Sequence, residues 1–159
     1  VSKILGIRDY ASGNFPDNKM DSVPLLDLCK FIEFQCRDFD PDIIFTHHPD
    51  CLNIDHSLVY RATVTVFRPQ QGKSQSTYSY SVPSSTNYNP LANHQVSKYN
   101  ILNQSEVDAT ILALRVYDEE MRAYPHTRSY ENVINIAKVN GSEIGTEYAE
   151  KFKVIREIV

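Results

Sequence analysis

The segment from Pro41 to His56 constrains this chain more than any other. It opens with Ile43-Ile44-Phe45, a short β-branched and aromatic run that reads as a buried strand. It then breaks into a polar loop carrying three histidines (His47, His48, His56) and two aspartates (Asp50, Asp55), and a helix begins near Asp55. A strand tip followed by a loop and a helix is where open α/β sheets place their ligand sites. Imidazole and carboxylate are also common ligands of zinc and similar ions.

The rest of the chain supplies alternating elements. Residues 3–7 read as a strand, and Asp9 to Asn18 as a loop. Asp21 or Ser22 can cap a helix whose first turn tolerates Pro24, with Leu25, Cys29, Ile32 and Cys36 recurring at helical spacing. A second strand covers Asp42–Thr46, and a second helix runs from about Asp55 to Phe67, stopped by Pro69. Residues 70–76 read as a polar loop, Tyr78–Val82 as a third strand, and residues 87–104, rich in Asn, as a long loop of the kind that forms lids or binding rims. Ser105-Glu106-Val107-Asp108 resembles a capping box. The helix behind it has an inner face of Val107, Ile111, Leu114, Tyr117, Met121 and Tyr124. A further helix, about Tyr130 to Val139, ends at Gly141 in a C-cap position, and Glu147–Val159 packs back as a short helix or strand. This alternation predicts one α/β domain over residues 1–159, with a mainly parallel sheet flanked by helices.

Composition enters mainly by exclusion. With 159 residues, 42% hydrophobic and 23% charged, the chain can bury an ordinary globular core. A net charge of -4 argues against a broad nucleic-acid-binding surface. No apolar run approaches the roughly 18 to 20 residues of a membrane span. Three cysteines without a CxxC pair fit a reducing compartment, so a cytoplasmic location is expected. A homo-oligomer is compatible with all of this. The chain begins at Val1, inside what reads as structure, so upstream sequence is expected to be missing.

Several polar residues are candidates for chemistry, each with a structural alternative. Asp55 either orients a ligand histidine or caps its helix, and His56 either projects into a cavity or lies in the first turn. His126, between Pro125 and Arg128, serves as acid, base or oxyanion donor, or sits in a solvated turn. Asp17 either reaches the same sheet face as residues 47–56 or makes a turn, and the hydroxyls of Ser84-Ser85-Thr86 either bind a sugar or make a turn. Cys51 beside His47 or His48 also allows a cysteine hydrolase.

Taken together, the segments resemble the LmbE/PIG-L family of zinc-dependent N-deacetylases. The second signature of that family is matched by Thr46-His47-His48-x-Asp50-x-Leu52-Asn53-Ile54-Asp55-His56. Its flanks match at Phe15-Pro16-Asp17-Asn18-Lys19-Met20-Asp21 and Phe67-Arg68-Pro69. Val82-Pro83-Ser84-Ser85-Thr86, Tyr124-Pro125-His126-Thr127-Arg128-Ser129 and Ala149-Glu150-Lys151-Phe152 follow in the same order. The resemblance implies a Rossmann-like fold without its N-terminal β-α unit. It implies one divalent metal, usually Zn2+, and hydrolysis of the acetamide of an N-acetylated amino sugar.

Of the family's metal ligands only His56 matches. The other two belong to an AHPDD-like motif, whose second aspartate is the base, and this chain has no such segment. His48-Pro49-Asp50 belongs instead to the second signature, eight residues before His56. The resemblance implies Asp55 as orienter of His56, Asn53 as a donor where some members have histidine, and His126 as acid or oxyanion stabiliser. It implies Asp17, Arg68, Ser84 and Arg128 as contacts to the sugar or its carrier. Cys51 stands where relatives have Asp. The rival function is a non-catalytic carbohydrate-binding or scaffold domain that has lost the first metal motif.

Overall fold

The computed structural model describes residues 1–71, 74–93 and 98–159. The expected polar loop at 70–76 and the long loop at 87–104 therefore lie partly outside the described residues. In chain order the elements are α1 (Ser2–Leu5), α2 (Leu25–Cys36), β1 (Ile43–His47), α3 (Ile54–Val66), β2 (Ser76–Tyr80), β3 (Lys98–Leu102), α4 (Gln104–Leu114), α5 (Tyr130–Ser142) and β4 (Tyr148–Arg156). Short 3-10 helices cover Met20–Ser22 and Arg115–Glu120. The strands hydrogen-bond in the order β1-β2-β4-β3, giving a mixed α/β architecture. The chain forms two compact units, one of Val1–Tyr10 with Lys98–Lys151, the other of Ala11–Ser97 with Phe152–Val159.

The second of these units is built on a strand-helix-strand crossover. β1 lies parallel to β2 in a register running from Ile43 opposite Ser76 to His47 opposite Tyr80. β2 is buried from Ser76 to Ser79, as a strand with neighbours on both edges must be. Its other neighbour is the end of β4, antiparallel, with Tyr78 opposite Val154. α3 packs against α2 through Leu28, Cys29, Leu58 and the wholly buried Ala62, joined by Met20 from the 3-10 turn. Ala62 has no side chain beyond Cβ, which lets the two helices approach closely. β1 is not buried throughout: Ile44 and Thr46 face inward, while Ile43 and Phe45 are about half exposed, a one-sided alternation.

In the other unit α1 packs on α4, and α4 on α5. Val107, Ala113, Tyr148 and Ala149 are its buried apolar side chains. Tyr148 Oη donates to Gln104 Oε1 at 2.8 Å, and Asn100 Nδ2 donates to Glu150 Oε1 at 2.9 Å.

Several expectations are corrected. The sheet is mostly antiparallel, not mainly parallel and Rossmann-like, because the chain's last strand returns beside β2 in the opposite sense. Residues 3–7 form no strand: a helical turn ends at Gly6, whose φ of 67 closes it with a backbone bond to Ser2 O. A strand, β3, occupies 98–102 within the expected loop. Asp21 and Ser22 sit in the 3-10 turn, and Pro24 itself holds the N-cap position of α2. The capping box pairs Asn103 with Glu106, two residues earlier than expected. The apolar face of α4 stops at Leu114, and Tyr117 and Tyr124 are mostly exposed. Gly141 lies inside α5, not beyond it.

Candidate functional site

The Pro41–His56 segment places its polar residues at the C-terminal end of β1 and the first turn of α3. His47 is the last residue of β1 and pairs in register with Tyr80, the last of β2, with ring centroids 5.1 Å apart. The ring of His56 stacks on His47 at 4.2 Å and 21°. Burial, and then the charge His56 would carry, push His47 down to about 4. Burial also lowers His56, against a partial opposing pull from Asp55. Two imidazoles in face contact cannot both be charged cheaply, and here both are neutral near pH 7. Nδ1 of His47 is buried and has no hydrogen-bond partner among the described residues.

Cys51 closes one side of this pair. Its Sγ lies 3.1 Å from His56 Nδ1, 2.8 Å from Ser85 Oγ and 3.3 Å from Thr86 Oγ1. Ser85 Oγ also accepts from Asn53 N at 3.2 Å, and the buried Thr86 accepts from Val82 N at 2.9 Å. His48 faces the other way and is buried, with Nε2 3.0 Å from Asn93 O and Nδ1 accepting from Asp50 N. It holds the loop together.

Asp55 and Asn53 organise the opposite rim. Asp55 is buried, and its two carboxylate oxygens accept from Asn18 N at 2.6 Å and Met20 N at 2.9 Å. Asn53 Oδ1 caps α3 by accepting from Asp55 N at 2.9 Å, and Asn53 Nδ2 donates to Asn18 Oδ1 at 3.1 Å. Asn18 in turn donates to the exposed carboxylate of Asp17 at 3.1 Å. A polar chain thus runs from Asp17 through Asn18 to Asn53, beside His56. Asp55 holds the backbone of the 18–20 loop.

The structure therefore brings together Asp17, Asn53, Asp55 and His56. Ser84 adopts a left-handed φ of 61 and makes no side-chain hydrogen bond among the described residues, while its neighbour Ser85 supplies the hydroxyl that enters the cluster. Arg68 lies beyond the C-terminal end of α3, about 20 Å of helix from His56. There its guanidinium donates to Thr65 O at 2.7 Å and lines a separate cavity of about 460 Å³ with Glu33, Arg37 and Asp38. His126 and Arg128 belong to the other unit. Arg128 N donates to His126 Nδ1 at 3.0 Å, and the Arg128 guanidinium pairs with Glu120 at 3.0 Å.

Tyr80 and Asn18 join the cluster without having been candidates, whereas Cys51 was a candidate only as a nucleophile and Ser85 and Thr86 only as part of the hydroxyl run at 84–86. Asn18 acts through its backbone as well as its side chain, and nothing in its identity signals that.

His56 suits one position of a metal centre: its ring is neutral and Nε2 has no protein partner among the described residues. Among those residues no three His, Cys, Asp or Glu side chains converge to hold an ion.

The family model described as PIG-L: GlcNAc-PI de-N-acetylase matches residues 1–67. Comparison with curated protein sequences gives no match. Among solved structures, a conserved protein from Thermus thermophilus is similar at TM-score 0.75 and 17% identity, covering 99% of this chain and 70% of that one. N,N'-diacetylchitobiose deacetylase from Pyrococcus horikoshii is similar at TM-score 0.71 and 17% identity, over 97% of this chain and 60% of that one. The zinc-inhibited form of teicoplanin deacetylase Orf2 is similar at TM-score 0.64 and 14% identity, over 95% and 59%. This chain thus spans about three-fifths of the length of the two deacetylases. At these identities the likeness is one of fold, and the family model matches residues 1–67, fewer than half of the 159.

Proposed function

We propose that residues 1–159 belong to a single LmbE/PIG-L-type domain that removes the N-acetyl group from an N-acetylglucosamine-type sugar conjugate with the help of a divalent metal, Zn2+ or another. The observation that carries this reading is the neutral His47–His56 stack at the end of β1, set beside the Asp17–Asn18–Asn53 chain in the stretch that the family model matches. The likeness in fold to two proteins that are themselves named deacetylases supports it.

In this reading His56 offers Nε2 as one ligand. A bound divalent ion would supply Lewis-acid polarisation of the acetamide and a more acidic water. The chain's own residues do the rest. His47 covers one face of the His56 ring and keeps water from it. Asp55 holds the 18–20 backbone, which sets Asp17 at the rim with an exposed carboxylate able to accept from a sugar hydroxyl. Asn53 ties that rim to the start of α3, and its amide adds a fixed dipole. His126 as acid or oxyanion donor, and Arg128 and Ser84 as substrate contacts, rest on the resemblance. Arg68, at the far end of α3, enters no step. Three free cysteines fit a reducing compartment, and we place the protein in the cytoplasm.

The test is acetate release from an N-acetylglucosamine conjugate by the full-length protein, with and without chelator. Chelator-sensitive release is expected. Losing even an outer-shell partner of a metal costs about 10–100-fold, so His56→Ala should lower kcat/KM at least about 100-fold. Binding of the conjugate with no acetate released by the metal-loaded protein would favour the carbohydrate-binding module.

A further inference from the structure

We propose that Cys51 is a positioning residue whose sulfur accepts the Nδ1 proton of His56, fixing the ring as the tautomer that presents a bare Nε2. This rests on the reading of His56 as a nitrogen donor, since a ring that gives a lone pair from Nε2 must carry its proton on Nδ1. That proton then needs an acceptor, and Cys51 Sγ at 3.1 Å is the atom in place.

The placement of protons around the sulfur supports the assignment. The Thr86 hydroxyl has accepted from Val82 N, and it donates its own proton to Sγ at 3.3 Å. Sγ is then an acceptor from Thr86 and from His56. Its own S–H points to the remaining neighbour, Ser85 Oγ, at 2.8 Å. Ser85 Oγ has two lone pairs, one taken by Asn53 N at 3.2 Å and the other open to the thiol. Ser85 itself is only part-buried, which leaves its own proton free to turn away from the sulfur. With the ring proton on Nε2 instead, the thiol would turn to Nδ1 and Nε2 could ligate nothing. Ser85 therefore acts as the sink that keeps the thiol proton away from His56, and the cradle does without charge what a carboxylate does beside other ligand histidines.

The measurement is long-range 1H–15N NMR of the His56 ring in full-length, metal-free, 15N-histidine-labelled protein, assigned with His56→Gln. Wild type is expected to show unprotonated Nε2. In Ser85→Ala the thiol loses its sink, so the unprotonated Nε2 signal should be lost. Cys51→Ala should also lose it, whereas Cys51→Ser, which can accept from Nδ1 and donate to Ser85, should keep it. A protonated Nε2 in wild type overturns the proposal, as does an unchanged tautomer in both alanine variants. If either alanine variant fails to fold, wild type and Cys51→Ser decide. Bare Nε2 in wild type without acetate release from the metal-loaded protein would leave the cradle standing and remove the deacetylase reading.

Discussion

At the scale of single residues, Asp55 shows how much a side chain's role depends on partners far along the chain. Its sequence position suggested a helix cap or an orienter of His56. Its carboxylate instead accepts two backbone N–H groups of the loop 35 and 37 residues earlier. Removing a buried acceptor leaves both donors unsatisfied, at about 1–3 kcal/mol each. Asp55→Ala should therefore cost about 2–4 kcal/mol in urea unfolding. Asp55→Asn, which keeps one acceptor oxygen, should cost less. Equal losses in the two variants would show that charge, not the pair of acceptors, carries the effect. The residue types at 53, 55 and 56 were legible as a polar constellation. Their division of labour was not, because hydrogen-bond partners are set by tertiary proximity.

At the scale of elements, α5 and its neighbours give two predictions. A Cβ on Gly141 would stand 2.7 Å from Thr146 O and 2.8 Å from the carbonyl of Glu147, both backbone atoms that cannot swing aside. Ala is intrinsically the better helix former by about 1 kcal/mol, yet overpacking of this kind costs about 1–3 kcal/mol. Gly141→Ala should lower the thermal midpoint; a raised midpoint would show that the 146–147 turn yields. Glu143, just past α5, accepts from Tyr99 Oη at 2.7 Å on β3 and from Lys151 Nζ at 2.9 Å on β4. These bonds, the tyrosine's first, hold its carboxyl below the ordinary 4.5. Folding stability from this group is thus complete above the ordinary value and is lost as pH falls through the lower folded one. Urea midpoints should decline as pH falls below the ordinary carboxylate value, and Glu143→Gln should flatten that decline. An unaltered slope would mean that the exposed network contributes nothing measurable. The helical periods of α2 and α3 were readable because each buries one stripe. The direction of β4, the strand at 98–102 and the turn at 2–5 were not, since a short apolar run looks alike as strand or helix.

At the scale of the molecule, the end of the chain is tied back to the middle. Arg156 Nε donates to Gln75 O at 3.0 Å and Nη2 to Phe67 O at 2.6 Å, joining β4 to the approach to β2 and the end of α3. An ammonium has no fork with which to reach both carbonyls. Arg156→Lys should lower stability by about 1–3 kcal/mol with an unchanged denaturant slope. Among the described residues no helix is long and apolar enough to cross a membrane. Residue type and local spacing alone set where the apolar stripes lie, that the Pro41–His56 stretch leads from a strand into a helix, and which family the chain resembles. Only the tertiary structure decided that the sheet is mostly antiparallel, that Asp55 serves a distant loop, and that Cys51 meets His56, Ser85 and Thr86. Those outcomes depend on which segments meet in space, and local periodicity carries no information about that.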